Sequence, residues 1–122
     1  MSQNEQLPPQ IQEDLVRLQQ LQQTLQVVVT QKQQLELELS ETEKALSELE
    51  KITDSVPVYK SVGSILLKAD RQGLLSDLKE RKELINTRVT VLGKQEGRTR
   101  ERLKELQDRL QQRLKTPSAS SD

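Results

Sequence analysis

The side chains able to do chemistry in this 122-residue chain are nineteen Asp/Glu, nineteen Lys/Arg and a single phenol, Tyr59. Cys and His are both absent. Their absence removes thiol nucleophiles, imidazole bases and nearly every transition-metal site. The carboxylates lack the Asp/Asn/Gly spacing of a calcium loop. Without a pocket they read as surface charge, not as an acid–base pair. Arg98-Thr99-Arg100-Glu101-Arg102 raises nucleic-acid binding, but the interleaved acid and a formal net charge of zero make it a solvated helix face. Gly93 and Gly97 have membrane-dimer spacing in surroundings too charged for that use. No phosphate-binding glycine loop is present. The reading is no enzyme, no cofactor, no metal and no nucleic-acid partner. What the chain offers is apolar, non-covalent contact.

The elements that present this contact follow from where the prolines fall. Pro8, Pro9, Pro57 and Pro117 are the only four, and all lie outside two long stretches, 10–52 and 71–115. Inside them proline would break a helix. In the first stretch, positions 18, 21, 25, 28, 32, 35, 39, 42, 46 and 49 follow alternating steps of three and four and are mostly Leu or Val. Positions 78, 82, 85, 89, 92, 96, 99, 103, 106 and 110 do the same in the second. Sustained over about four heptads, such a seam predicts a coiled coil, and at ~1.5 Å per residue each arm would reach ~65 Å. Residues 10–52 carry four Lys/Arg and eight Asp/Glu, against twelve and seven in 73–115. Opposite fields favour arms lying side by side, while the leucines supply most of the stability.

If the chain folds back on itself, the seams pair Leu46 with Leu78, Leu39 with Ile85, Leu35 with Val89, Leu21 with Leu103 and Leu18 with Leu106. Thr42 and Lys82 then share a polar layer. The β-branched run Val27-Val28-Val29-Thr30 falls level with Gly93 and Gly97, residues poor in helices. Lys32 and Glu96 sit on the seam there too. Local fraying and a mid-arm hinge both fit that level.

Between the arms, Val58–Val62 and Ile65–Lys68 read as two strands joined by a Gly63-Ser64 turn, within a hairpin at 57–68. Asp70 is the expected N-cap of the second arm. Val58, Val62, Ile65 and Leu67 share one face of the hairpin, and Tyr59 and Leu66 lie on the other. A lone two-stranded hairpin is marginal in water and leaves its edges open. Several chains could solve this by joining hairpins, which makes Val58, Tyr59, Val62, Ile65, Leu66 and Leu67 the candidate oligomerisation residues. The alternative is a private hairpin folded onto its own helices and supported by Leu74, Leu75, Leu84 and Val91. The whole is expected to be one mainly α domain spanning 1–122, an antiparallel two-helix coiled coil with a short β-hairpin between the helices and a disordered tail at 116–122.

In these residues the chain resembles the β class of prefoldin subunits, particularly the archaeal type. The resemblance rests on Pro8-Pro9-Gln10-Ile11-Gln12, on the Gln/Leu-rich run through Leu25 and on Gln31-Lys32-Gln33. To these add Val58-Tyr59-Lys60-Ser61-Val62-Gly63 with Ile65-Leu66-Leu67-Lys68, and the second arm with Gln95-Glu96. Gly73 stands where the second helix of such proteins often carries an acidic starter residue, and Gly93 and Gly97 replace residues usually better suited to a helix. The resemblance implies a hexamer of two α-class and four β-class subunits on a β-barrel platform. It also implies an ATP-independent holdase that captures unfolded polypeptides at the arm tips and delivers them to a group II chaperonin.

The residues themselves supply a capture surface. Leu7, Ile11, Leu15, Leu110 and Leu114 gather where the arms end, and helix ends fray, so these are the candidate client-binding residues. Leu18, Leu103 and Leu106, further in, are expected to close the coil. The other reading is a structural adaptor or tether that uses the arms as a spacer. A polar start and the lack of a long apolar run give no expectation of a signal peptide or membrane span, and point to the cytoplasm.

Overall fold

The computed structural model describes residues 7–115 and contains, in chain order, helix α1 (Pro9–Glu50), strands β1 (Val58–Val62) and β2 (Ile65–Ala69), and helix α2 (Arg71–Lys115). The tail at 116–122, expected to be disordered, lies outside the described residues. The helices start where their local chemistry dictates. Pro9 takes the first helical position, where its missing N–H is no loss, and the Pro8 carbonyl accepts the first bond, from the Gln12 amide at 3.0 Å. Asp70 caps α2: its carboxylate accepts from the Gly73 amide at 2.9 Å and its carbonyl from the Leu74 amide at 2.9 Å. At the other end of α2, Arg113 and Lys115 complement the negative pole of the helix dipole.

α1 stops at Glu50, two residues short of the expected 52. Beyond it the Lys51 and Ile52 amides reach back only three residues, to Glu48 and Leu49, so the chain tightens and leaves the helix before Pro57.

The chain divides into two compact units. One is built from the described parts of 1–30 and 92–122, the other from 31–91. In the first unit Ile11, Leu106 and Leu110 form the buried core, with Leu18 and Leu21 packed against it. Val28, Thr99 and Leu103 are buried as well. In the second, Leu46, Leu75 and Ile85 are buried, together with Thr42. All twenty seam positions are buried or half-buried. Of the cross-helix pairs expected from the spacing, Leu18 and Leu106 meet in one cluster. Beside the expected polar layer, Lys82 pairs with Glu43 at 3.4 Å.

The two buried threonines show how a polar residue is tolerated on the seam. Thr42 donates its hydroxyl to the Glu38 carbonyl at 2.9 Å and Thr99 to the Gln95 carbonyl at 2.8 Å, one turn back in the same helix. Among the described residues no buried side-chain nitrogen or oxygen lacks a partner.

α2 runs unbroken through Gly93 and Gly97. At Gly97 a β-carbon would meet nothing within 4 Å. Gly97→Ala is therefore expected to raise stability by about 0.5–1 kcal/mol, the helix-propensity difference with no steric offset. A higher thermal midpoint for the variant, followed by the helical circular dichroism signal, is the check.

Candidate functional site

The hairpin is a two-stranded antiparallel sheet in which Val58 pairs with Ala69, Tyr59 with Lys68, Lys60 with Leu67, Ser61 with Leu66 and Val62 with Ile65. Gly63, with φ of 61°, makes the turn possible; Ser64 keeps a negative φ. This is the arrangement of a hairpin turn that needs glycine only at its first central position. Alternation then puts Val58, Lys60, Val62, Ile65, Leu67 and Ala69 on one face, and Tyr59, Ser61, Leu66 and Lys68 on the other.

Neither face is covered. Tyr59, Val62, Ile65, Leu66 and Leu67 are all exposed, Leu66 by 70%, and only Val58 and Ala69 are half-buried. The private-hairpin alternative requires the chain's own helices to cover these side chains. Of its four supports, Leu84 and Val91 are themselves exposed.

The base of the hairpin is fixed by a residue that periodicity does not mark. Arg71 donates from Nε to the Leu49 carbonyl at 2.8 Å, a shorter bond than the 3.4 Å one that carbonyl accepts from the Ile52 amide at the end of α1. From Nη1 it donates to Asp54 at 2.8 Å. Gln72 adds its amide to the same carboxylate at 3.1 Å. The Arg71 and Gln72 hydrogen bonds hold the Asp54 carboxyl below its ordinary pKa. The end of α1 and the start of α2 are thus tied directly, which sets where both strands leave the helices.

In the first unit, Leu7, Leu15 and Leu114 are exposed, whereas Ile11 and Leu110 are buried to 5%. The five candidate client residues are therefore split: three are open and two are packed in the core with Leu106. Beside them Asp14 of α1 forms an ion pair with Arg113 of α2, both largely buried. The leucine-marked seams begin at 18 on α1 and end at 110 on α2. Carried outward by the same steps, they pass through 14 and 11 on one helix and 113 on the other. An acid and a base of opposite sign on the two extended seams is the signal that finds this pair.

Nothing here resembles a reaction centre. An open groove of the first unit is lined by Gln12, Glu13, Asp14, Arg17, Arg109 and Arg113 among others, and no nucleophile–base pair lies in it. Among the described residues no group of three or more acids is placed to hold a metal ion, and no helix is long and apolar enough to cross a membrane.

These features define a two-helix coiled-coil protein with an uncovered β-hairpin between the helices. Comparison with known proteins places it more closely. The family model described as "Prefoldin subunit" matches residues 12–116. The prefoldin β subunit of Archaeoglobus fulgidus is 48% identical over 108 residues, which cover 88% of this chain and 93% of that protein. The β subunit of Pyrococcus furiosus is 41% identical over 113 residues, covering 93% and 97%. The crystal structure of the prefoldin β subunit from Thermococcus strain KS-1 superposes with a TM-score of 0.78 at 42% identity, covering 88% of this chain and 94% of that one. The chain belongs to the prefoldin family, whose members are chaperone subunits and not enzymes.

Proposed function

We propose that this chain is the β-class component of a hetero-hexameric prefoldin, four copies joining two α-class subunits through their hairpins. The observation that carries the reading is the hairpin with large apolar side chains exposed on both faces. Such a surface is stable in water only when other strands or side chains cover it. In the assembly, the hairpins would form the platform and the exposed leucines of the helix ends would hold non-native polypeptides. Holding requires apolar surface and reversible contact, and no nucleotide. The held chain would then pass to a group II chaperonin. The cytoplasm is the compartment this role requires.

Leu7, Leu15 and Leu114 are the open part of the capture surface. Several such weak contacts on neighbouring arms add through effective concentration. The tether reading gives the bare hairpin no role.

Native mass spectrometry of the chain alone and mixed with an α-class prefoldin subunit tests the proposal. A mixed hexamer with four copies of this chain is expected. Monomers and simple dimers in both samples would overturn it.

A further inference from the structure

The hairpin is joined to the two helices unequally. On the α2 side only Asp70 separates β2 from the helix, whereas the link 51–57 separates α1 from β1. Little apolar packing fixes the direction of the strands, since Tyr59, Val62, Ile65, Leu66 and Leu67 are all exposed. Direction must come from polar contacts at the base. The link is folded on itself: the Val56 amide donates to the Thr53 carbonyl at 3.1 Å, and the Thr53 and Ser55 hydroxyls share a hydrogen bond at 2.8 Å. Asp54, inside that turn, is where the link meets α2, through Arg71 and Gln72.

The type and place of Arg71 fit holding this base better than stabilising its own helix. A cation at the first position of α2 faces the positive pole of the helix dipole, which is unfavourable. α1, however, has no basic residue in its own last turn, and Lys51 just beyond it pairs with the Glu48 carboxylate. Arg71 supplies the missing cation from the other helix. Its side chain is only 14% exposed, although that of Asp54 is 65% exposed. It spans two acceptors at once, the Leu49 carbonyl from Nε and the Asp54 carboxylate from Nη1. A planar guanidinium does this with fixed angles; a lysine ammonium is a point charge on a flexible stem.

We propose that Arg71, braced by Asp54 and Gln72, is a positioning residue for assembly: it sets the angle at which the hairpin leaves the helices. This rests on the reading above that hairpins join the chains. Subunits of a closed assembly must present their hairpins at a fixed angle, because a ring closes only when the rotation from one subunit to the next is set. A hairpin held by Asp70 alone has to be ordered on association, and that ordering lowers the affinity.

Arg71→Lys and Asp54→Ala test the proposal in the full chain. The sequence has no cysteine, so spin labels on Ser64→Cys and Lys79→Cys report the distance from the hairpin turn to an exposed position of α2. Pulsed electron paramagnetic resonance is expected to give a narrow distribution when Arg71 and Asp54 are present. Either variant should broaden it at equal helical circular dichroism. Mixed with an α-class subunit, each variant should form the hexamer with an affinity lowered by about tenfold or more, since the hairpin must then be ordered on binding. Arg71→Lys keeps the charge, so a loss there separates the two-acceptor geometry from charge alone. Asp54→Ala, on an exposed turn, carries the test if Arg71→Lys lowers the helical signal. An unchanged distribution in both variants overturns the positioning role. So does a broader distribution with undiminished assembly. A wild-type chain that forms no hexamer overturns the assembly reading itself and this role in it, while the distance distribution still reports whether Arg71 holds the hairpin.

Discussion

Ile65→Asp combined with Leu66→Asp is expected to abolish entry of this chain into a prefoldin hexamer while leaving the two helices folded. The two residues are adjacent on β2, so they point to opposite faces of the hairpin. Both are exposed in the single chain, at 56% and 70%. Replacing them removes little intrachain packing. In a platform built from hairpins, at least one face must turn inward and the other must meet a neighbour. Burying one such side chain contributes about 1.5–3 kcal/mol, so losing both costs about 3–6 kcal/mol before the charge is counted. That corresponds to a loss of ~10²- to 10⁴-fold in assembly affinity. An aspartate that had to be buried there would add its own desolvation. Sedimentation velocity of the variant with an α-class subunit, beside its helical circular dichroism spectrum, gives the answer. Retained helix with no hexamer fits the proposal; a hexamer of undiminished affinity would refute assembly through the hairpin. The single variants discriminate further, because aspartate costs more on whichever face lies deeper in the platform.

The sequence made this surface legible for a specific physical reason. Strand alternation is a period of two, so a glycine turn flanked by Val58, Val62, Ile65 and Leu67 fixes both the register and the faces. The seam was equally legible, because an apolar period of about 3.5 residues sustained over both arms is what helices packed along a shared stripe require. What periodicity does not encode is a long side chain that acts only after the chain has closed. Arg71 reaches Leu49, twenty-two residues back. Its value depends on two helix ends meeting, which no local window displays. Asp14 and Arg113 were hidden differently. Charged residues near helix ends read as solvated, and only their shared position on the extended seams, with opposite sign, distinguishes them. The same pair explains the divided fate of the capture residues. An unassisted helix end would fray and bare Ile11 and Leu110, but this one is held by an ion pair. Leu15 and Leu114, each one residue past a partner of the pair and so turned off the seam, and Leu7, before the helix begins, remain open.

Replacing those three open leucines by serine should lower suppression of client aggregation by about tenfold or more without changing the hexamer. Leu15 is 40% and Leu114 53% exposed, so serine removes contact area offered outward more than packing within the chain. Each leucine that meets an apolar client segment contributes on the order of 1 kcal/mol, below the value for full burial because the contact is partial. One arm alone would therefore lose only modestly. A client spanning several arms loses on each of them, and the deficits multiply because the second and third contacts are intramolecular. The dependence on arm number separates this mechanism from a single high-affinity site. Hexamers reconstituted with increasing fractions of the variant should lose suppression steeply, not in proportion to the fraction replaced. A linear decline would mean that each arm holds its client independently. No decline at all, with the hexamer intact by native mass spectrometry, would remove Leu7, Leu15 and Leu114 from the capture surface.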